Sequence, residues 1–230
     1  MNEELRFRVM KAGKELAGHR FSEKDLPWRK DRTPYRVFLA EMLLVRTRAD
    51  SVARIFERIF FRYPSVDALA NADEEELKSL LSPLGLIKRV PLLIRAARFI
   101  RENYDGQIPR KVDDLLAVPG IGPYTAAAVA ALAYGEPAVP ADVNVLRFVS
   151  RLTGIEMKHP TKGAPELTEL LPLLSESVVG LSAENLLDFT RLICRPRNPR
   201  CLTCPIKDLC DYFRTKASPE ENGRWKKDSP

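Results

Sequence analysis

The stretch from Leu115 to Leu152 constrains the fold most, because an apolar helical run is interrupted there by Val118-Pro119-Gly120-Ile121-Gly122-Pro123 and then resumes. Proline cannot continue a helix interior and pushes the preceding residue to extended backbone, so the chain must turn at this point. Gly120 and Gly122 can take positive φ and bring bare backbone close to a ligand, and Thr125 opens an Ala-rich helix. A third helix follows Pro140-Ala141, with Asp142 in the N-cap position. N–H groups at such a turn, backed by a helix N-terminus, make an anion site suited to a phosphate. A Gly/Pro loop between two packed helices would use the same residues, so the turn needs company to mean more.

The rest of the chain repeats the 3.6-residue period. Helices are expected over Met1–Ala17, from Thr33-Pro34 to Arg48, and over Ser51–Tyr63, Ala72–Leu81, Val90–Tyr104, Val112–Val118, Ala164–Val179 and Ala183–Cys194. No period-2 strand appears, so the predicted class is all-α. A 45% apolar content over 230 residues supports one large domain or two small ones. The excess of 37 Lys and Arg over 31 Asp and Glu favours a polyanionic partner. No run approaches the ~18 apolar residues of a membrane span, and the charged N-terminus is no signal peptide, so a soluble cytoplasmic protein is expected. The residues beyond Phe213 lack an apolar period, and 216–230 reads as a disordered tail.

Three features carry chemistry. Glu41 is the one charged residue in Val37–Val45, and a helix apolar all round is buried. A desolvated carboxyl there would hold a proton near neutral pH, as a general acid must; a structural carboxylate bonded to a neighbour is the plainer reading. Asp142 is a favoured cap wherever a helix begins, and also an anion placed to steady a developing cation, with Asn144 and Arg147 on the turn behind it as donors. All four cysteines, Cys194, Cys201, Cys204 and Cys210, fall in one C-x6-C-x2-C-x5-C run. In a reducing compartment they point to a four-coordinate site, a structural Zn²⁺ or an iron–sulfur cluster, which spacing alone does not separate. The loop between the first two holds Arg195, Arg197 and Arg200, a cationic surface for a phosphate backbone once pinned by a metal. Arg95, Arg98 and Arg101 share a helical face, which reads first as solvated.

The hairpin Val118-Pro119-Gly120-Ile121-Gly122, Asp142 about twenty residues on, and this cysteine spacing together resemble the helix–hairpin–helix DNA glycosylases of the endonuclease III superfamily. The resemblance runs from Leu26-Pro27-Trp28 to Cys210. It implies a six-helix barrel domain over 24–136 and a cluster domain from 1–23 and 137–215, with DNA in the cleft between them and the target base flipped out. It also implies that Asp142 is the essential aspartate, that residues 119–123, with Gly120, Gly122 and Thr125, grip DNA, and that the four cysteines hold a [4Fe–4S] cluster.

Further positions narrow the subfamily. Tyr124 stands where the resemblance puts the lysine nucleophile of bifunctional members, and a phenol forms no Schiff base, so hydrolysis by water is expected. Glu41, within Ala40-Glu41-Met42-Leu43-Leu44-Val45-Arg46-Thr47, matches the catalytic glutamate shared by mismatch adenine and mismatch thymine glycosylases. Tyr124 with Glu41 is most similar to the thymine/uracil glycosylases that act on T·G and U·G mismatches. In that scheme Asp142 stabilises the sugar cation and guides water, Glu41 and Tyr124 contact the base, and Arg46 fills the gap in the stack or touches the opposite guanine. The expected protein is a monomer on double-stranded DNA. An adenine glycosylase acting opposite 8-oxoguanine is the alternative, and a non-catalytic DNA-binding module is a second, disfavoured because such a module needs no Glu41.

Overall fold

The computed structural model describes residues 3–21, 26–157, 165–176 and 181–217. Among them all regular structure is helical: α1 (Glu3–Ala17), α2 (Pro27–Lys30), α3 (Pro34–Leu44), α4 (Ala49–Arg62), α5 (Val66–Ala70), α6 (Glu74–Leu81), α7 (Val90–Tyr104), α8 (Val112–Ala117), α9 (Pro123–Tyr134), α10 (Val143–Thr153), α11 (Pro165–Thr168), α12 (Leu171–Ser175) and α13 (Leu181–Leu192). Contacts divide the chain into a continuous unit, Glu23–Pro140, and a discontinuous one, Met1–Ser22 with Ala141–Pro230. Residues 137–140, expected with the second, group with the first.

In the continuous unit α3 is the central element. Thr33 Oγ1 accepts the Arg36 N–H at 3.4 Å, Pro34 occupies the first turn, and every residue from Arg36 to Leu43 is buried. It packs on α4 and α9. Helix α9 is buried from Thr125 to Leu132, and its five alanines among those residues let neighbouring backbones approach closely. Helix α3 stops at Leu44 rather than at Arg48, because Val45 turns extended and Arg46 takes φ 59°. Helix α5 was not anticipated: Ser65 Oγ caps it through the Ala68 N–H at 3.1 Å. Its C-terminus accounts for two of the three aligned arginines of α7. Arg98 Nε donates to the Ala70 carbonyl at 3.0 Å and Arg101 to Asn71 Oδ1 at 2.9 Å, placing cations at the negative end of the helix dipole.

In the discontinuous unit α10 packs on α13 and α1, with Phe148 edge-on to Phe189 at 5.3 Å. The single helix expected over Ala164–Val179 is two short ones within the described residues, α11 and α12. Pro172 has no N–H for the Thr168 carbonyl and its ring crowds that carbonyl, so the chain breaks at Glu169-Leu170. Phe213–Ala217 form one π-helical turn, entered through the Arg214 N–H on the Cys210 carbonyl at 3.2 Å, so the expected disordered tail does not start at 216. The remainder of that tail, 218–230, lies outside the described residues.

Candidate functional site

The hairpin is α8, a tight turn and α9. The Ile121 N–H bonds the Val118 carbonyl at 3.1 Å, and Gly120 sits at φ 84°. A Cβ on Gly120 would stand 2.6 Å from the Leu92 side chain of α7, so glycine is required there by both conformation and packing. Gly122 differs from expectation. It is extended, at φ −101°, with open space where a side chain would project, and it is the N-cap of α9. Its value is an uncovered backbone. The first intrahelical bond runs from the Ala126 N–H to the Gly122 carbonyl at 2.9 Å, and the N–H groups ahead of it point out of the helix start. The helix therefore opens at Pro123, and Thr125 is only 5% exposed. Little of its side chain lies at the surface.

Glu41 is 4% exposed on α3, and Tyr124 is half-buried in the first turn of α9, which packs on α3. Arg46 is exposed just beyond α3, its left-handed turn closed by the Thr47 N–H on the Leu44 carbonyl at 3.1 Å. A non-glycine residue in that region costs roughly 1–2 kcal/mol, strain of a kind that collects at ligand sites. Arg89, which the sequence did not single out, lies within the field of Arg46. Burial first, and then that charge, push its guanidinium below the ordinary value, and its Nη2 is buried without a hydrogen bond among the described residues.

Asp142 belongs to the discontinuous unit and is the N-cap expected of it. Its Oδ1 accepts the Asn144 and Val145 N–H groups at 2.8 and 2.9 Å, capping α10, while Oδ2 accepts Asn144 Nδ2 at 2.6 Å. Arg147 sets the amide's orientation. Its Nη1 donates to Asn144 Oδ1 at 2.8 Å, and a guanidinium can only donate, so Nδ2 must face Asp142. Arg147 is in turn held by the carbonyls of Thr190 and Cys194, each 2.8 Å from Nη2, and burial lowers its pKa. The helix carrying Asp142 is thus tied to the first cysteine.

All four cysteines line one cavity with Phe148, Phe189 and Ile206. Burial pushes the Cys204 thiol up to about 12 and Cys210 up to about 11, and it raises Cys201 as well. Thiols so placed keep their protons at neutral pH unless a metal displaces them. Among the described residues no three His, Cys, Asp or Glu side chains converge as ligands of a single ion.

The loop between the first two cysteines modifies one expectation. Arg195 Nε and Nη2 turn back onto the Asn198 carbonyl at 3.2 and 2.6 Å, so this arginine braces the loop, with Asn198 at φ 47°. Arg197 and Arg200 are exposed. Arg151, which no sequence motif marks, reaches this loop from α10. The available signal was its spacing, four residues after Arg147 and therefore on the same helical face.

Known proteins match this arrangement. The HhH-GPD superfamily of base excision DNA repair proteins matches residues 39–173, and the iron–sulfur binding domain of endonuclease III matches 194–210. A thymine-DNA glycosylase from Aeropyrum pernix is 34% identical over 198 residues, 84% of this chain and 89% of the relative. A thymine/uracil-DNA glycosylase from Pyrobaculum aerophilum is 35% identical over 205 residues, 85% and 88% of the two chains. The solved structure of a thermostable thymine-DNA glycosylase superimposes with a TM-score of 0.77 at 30% identity, covering 91% of this chain and 97% of that one. With a hairpin turned at Gly120, Asp142 capping α10 and four cysteines lining one cavity, the chain belongs to the HhH-GPD superfamily of base excision DNA repair proteins.

Proposed function

We propose that the protein is a monofunctional DNA glycosylase that flips thymine or uracil out of T·G and U·G mismatches and releases it by hydrolysis. The reading rests on the family and on the names of its relatives, and one observation makes it specific: Tyr124 occupies the first turn after the hairpin while Glu41 is buried in α3. Breaking an N-glycosidic bond puts positive charge on the sugar and negative charge on the base. Asp142, held by two backbone N–H groups and Asn144, opposes the first and orients water. Glu41 and Tyr124 hydrogen-bond the base and ease its departure as an anion. Gly120, Gly122 and the backbone at Thr125 take a phosphate, Arg46 acts at the vacated stack, and Arg197 and Arg200 dock the duplex. Cys194, Cys201, Cys204 and Cys210 would hold a [4Fe–4S] cluster. Four cysteines lining one cavity offer one thiolate per iron of a cubane, and the match of 194–210 to the iron–sulfur binding domain of endonuclease III favours a cluster over zinc. Ligating the cluster, the four cysteines would crosslink the loop rigidly.

The test is a single-turnover panel of T·G, U·G, A·8-oxoG and A·G duplexes with borohydride trapping. The expected result is release of T and U ahead of A, an intact abasic site, and no covalent adduct. Tyr124→Lys should gain a trappable adduct, because it sets an amine where a Schiff base can form. Efficient trapping of the wild-type protein would sink the hydrolytic assignment, and faster release of A would sink the substrate.

A further inference from the structure

Arg151 lies on α10 one turn beyond Arg147. Its Nη1 donates to the Arg195 carbonyl at 2.7 Å and stands 3.6 Å from Cys194 Sγ, while Nη2 donates to the Pro196 carbonyl at 3.1 Å. The guanidinium packs on the Tyr212 ring, 4.7 Å from its centroid, and the Arg151 carbonyl is 3.3 Å from Cys210 Sγ. One side chain therefore touches the first ligand's sulfur, two peptide groups of the loop that follows it, and an aromatic ring just past the fourth ligand. The loop closes at its base through the Arg200 N–H on the Ile193 carbonyl at 2.9 Å, and in its middle through Arg195 on Asn198. The stretch at Arg195 and Pro196 is held from outside the loop, by Arg151.

We propose that Arg151 is a positioning residue for DNA docking: its fork fixes the carbonyls of Arg195 and Pro196, so that Arg197 and Arg200 meet a polyanion already ordered, while its charge beside Cys194 favours the more reduced cluster. The docking half rests on the reading of this loop as a DNA contact. The fork matters because three acceptors in different directions need a planar group with several N–H donors, which an ammonium cannot imitate. Ordering the loop beforehand removes an entropy cost from binding. A cation and an N–H near a cluster sulfur raise the cluster's potential, because they stabilise the electron-richer state.

The two consequences separate in the holoprotein with Arg151→Lys, which keeps the charge and loses the fork, and Arg151→Gln, which loses the charge and most of the fork. With iron content retained, amides from 197 to 201 should exchange at least about tenfold faster in both variants. The cluster potential should fall in Arg151→Gln and stay near wild type in Arg151→Lys. Affinity for matched and mismatched duplexes should fall alike, by about tenfold, and this loss should vanish in an Arg197→Ala/Arg200→Ala background. Exchange within about twofold of wild type in both variants would overturn the positioning role, as would loss of iron from both. Equal potentials in the two variants would overturn the part played by charge. If Arg197→Ala/Arg200→Ala binds DNA as wild type does, the loop is no DNA contact and the docking role falls with that reading, while faster exchange would still show that Arg151 orders the loop.

Discussion

Asp142→Ser separates the carboxylate from the helix cap. Asp142 Oδ1 receives the Asn144 and Val145 N–H groups at 2.8 and 2.9 Å, and a serine Oγ offers a comparable acceptor, so the cap itself should change by less than about 1 kcal/mol. Removing Oδ2 takes the 2.6 Å acceptor from Asn144 Nδ2, a half-buried donor, for roughly another 1 kcal/mol. The sum is small beside the roughly 5–15 kcal/mol of a folded domain. The chemical loss is larger, because one preorganised electrostatic contact to a developing charge is worth about 3–4 kcal/mol, and excision should fall by at least ~10³-fold. Single-turnover release of thymine from a T·G duplex, read as alkali-labile sites, measures the second quantity, and urea unfolding of the same samples measures the first. Asp142→Ala removes the cap as well, costing a further ~1 kcal/mol in stability, yet its excision rate should match that of Asp142→Ser. Rates that instead follow cap strength, with serine near wild type and alanine far below, would show that the carboxylate only holds the helix. Asparagine is the poorer probe. Arg147 turns the Asn144 amide so that its NH₂ faces position 142, and a second amide there must oppose two donors or give up the cap.

Gly120→Ala should destabilise the continuous unit by about 2–4 kcal/mol, combining a positive φ with overlap on Leu92, and thermal unfolding reads this directly. Gly122→Ala, extended and unobstructed, should cost less than about 1 kcal/mol yet weaken duplex binding; unchanged affinity would mean that no phosphate approaches this backbone. Protein purified anaerobically should absorb broadly near ~400 nm and carry about four irons per chain, whereas stoichiometric zinc without iron would refute the cluster. Iron-free protein should lose stability above pH about 9. Cys204 and Cys210 hold their protons to about 12 and 11 when folded but release them from 9.0 when unfolded, so rising pH favours the unfolded chain across that window. Urea midpoints that stay flat from pH 8 to about 11, or a slope unchanged in Cys204→Ser/Cys210→Ser, would show that burial of these thiols is not its source.

The helical class, the turn at Pro119-Gly120, the cap at Asp142 and the set of four cysteines were legible in the residues alone, because each depends on neighbours within a few positions. A proline or glycine rule, an N-cap and a ligand spacing are local and survive without knowing the fold. Glu41 was legible for a similar reason: one charge in an apolar helix must be accommodated wherever that helix is buried. Local rules failed where a partner far along the chain decided the outcome. Whether Arg98 and Arg101 serve solvent or a helix end depends on Ala70 and Asn71, about thirty residues away, and nothing in α7 reveals that α5 exists. The reach of Arg147 and Arg151 depends on residues more than forty positions on, brought near by the packing of α10 on α13. Arg195 and Thr125 show the same limit from the other side. Residue type marked Arg195 for DNA and the resemblance marked Thr125, but the Asn198 carbonyl takes the Arg195 guanidinium and tertiary packing buries Thr125, since an arginine takes the nearest good acceptor and the side of a helix facing the core is set by the fold.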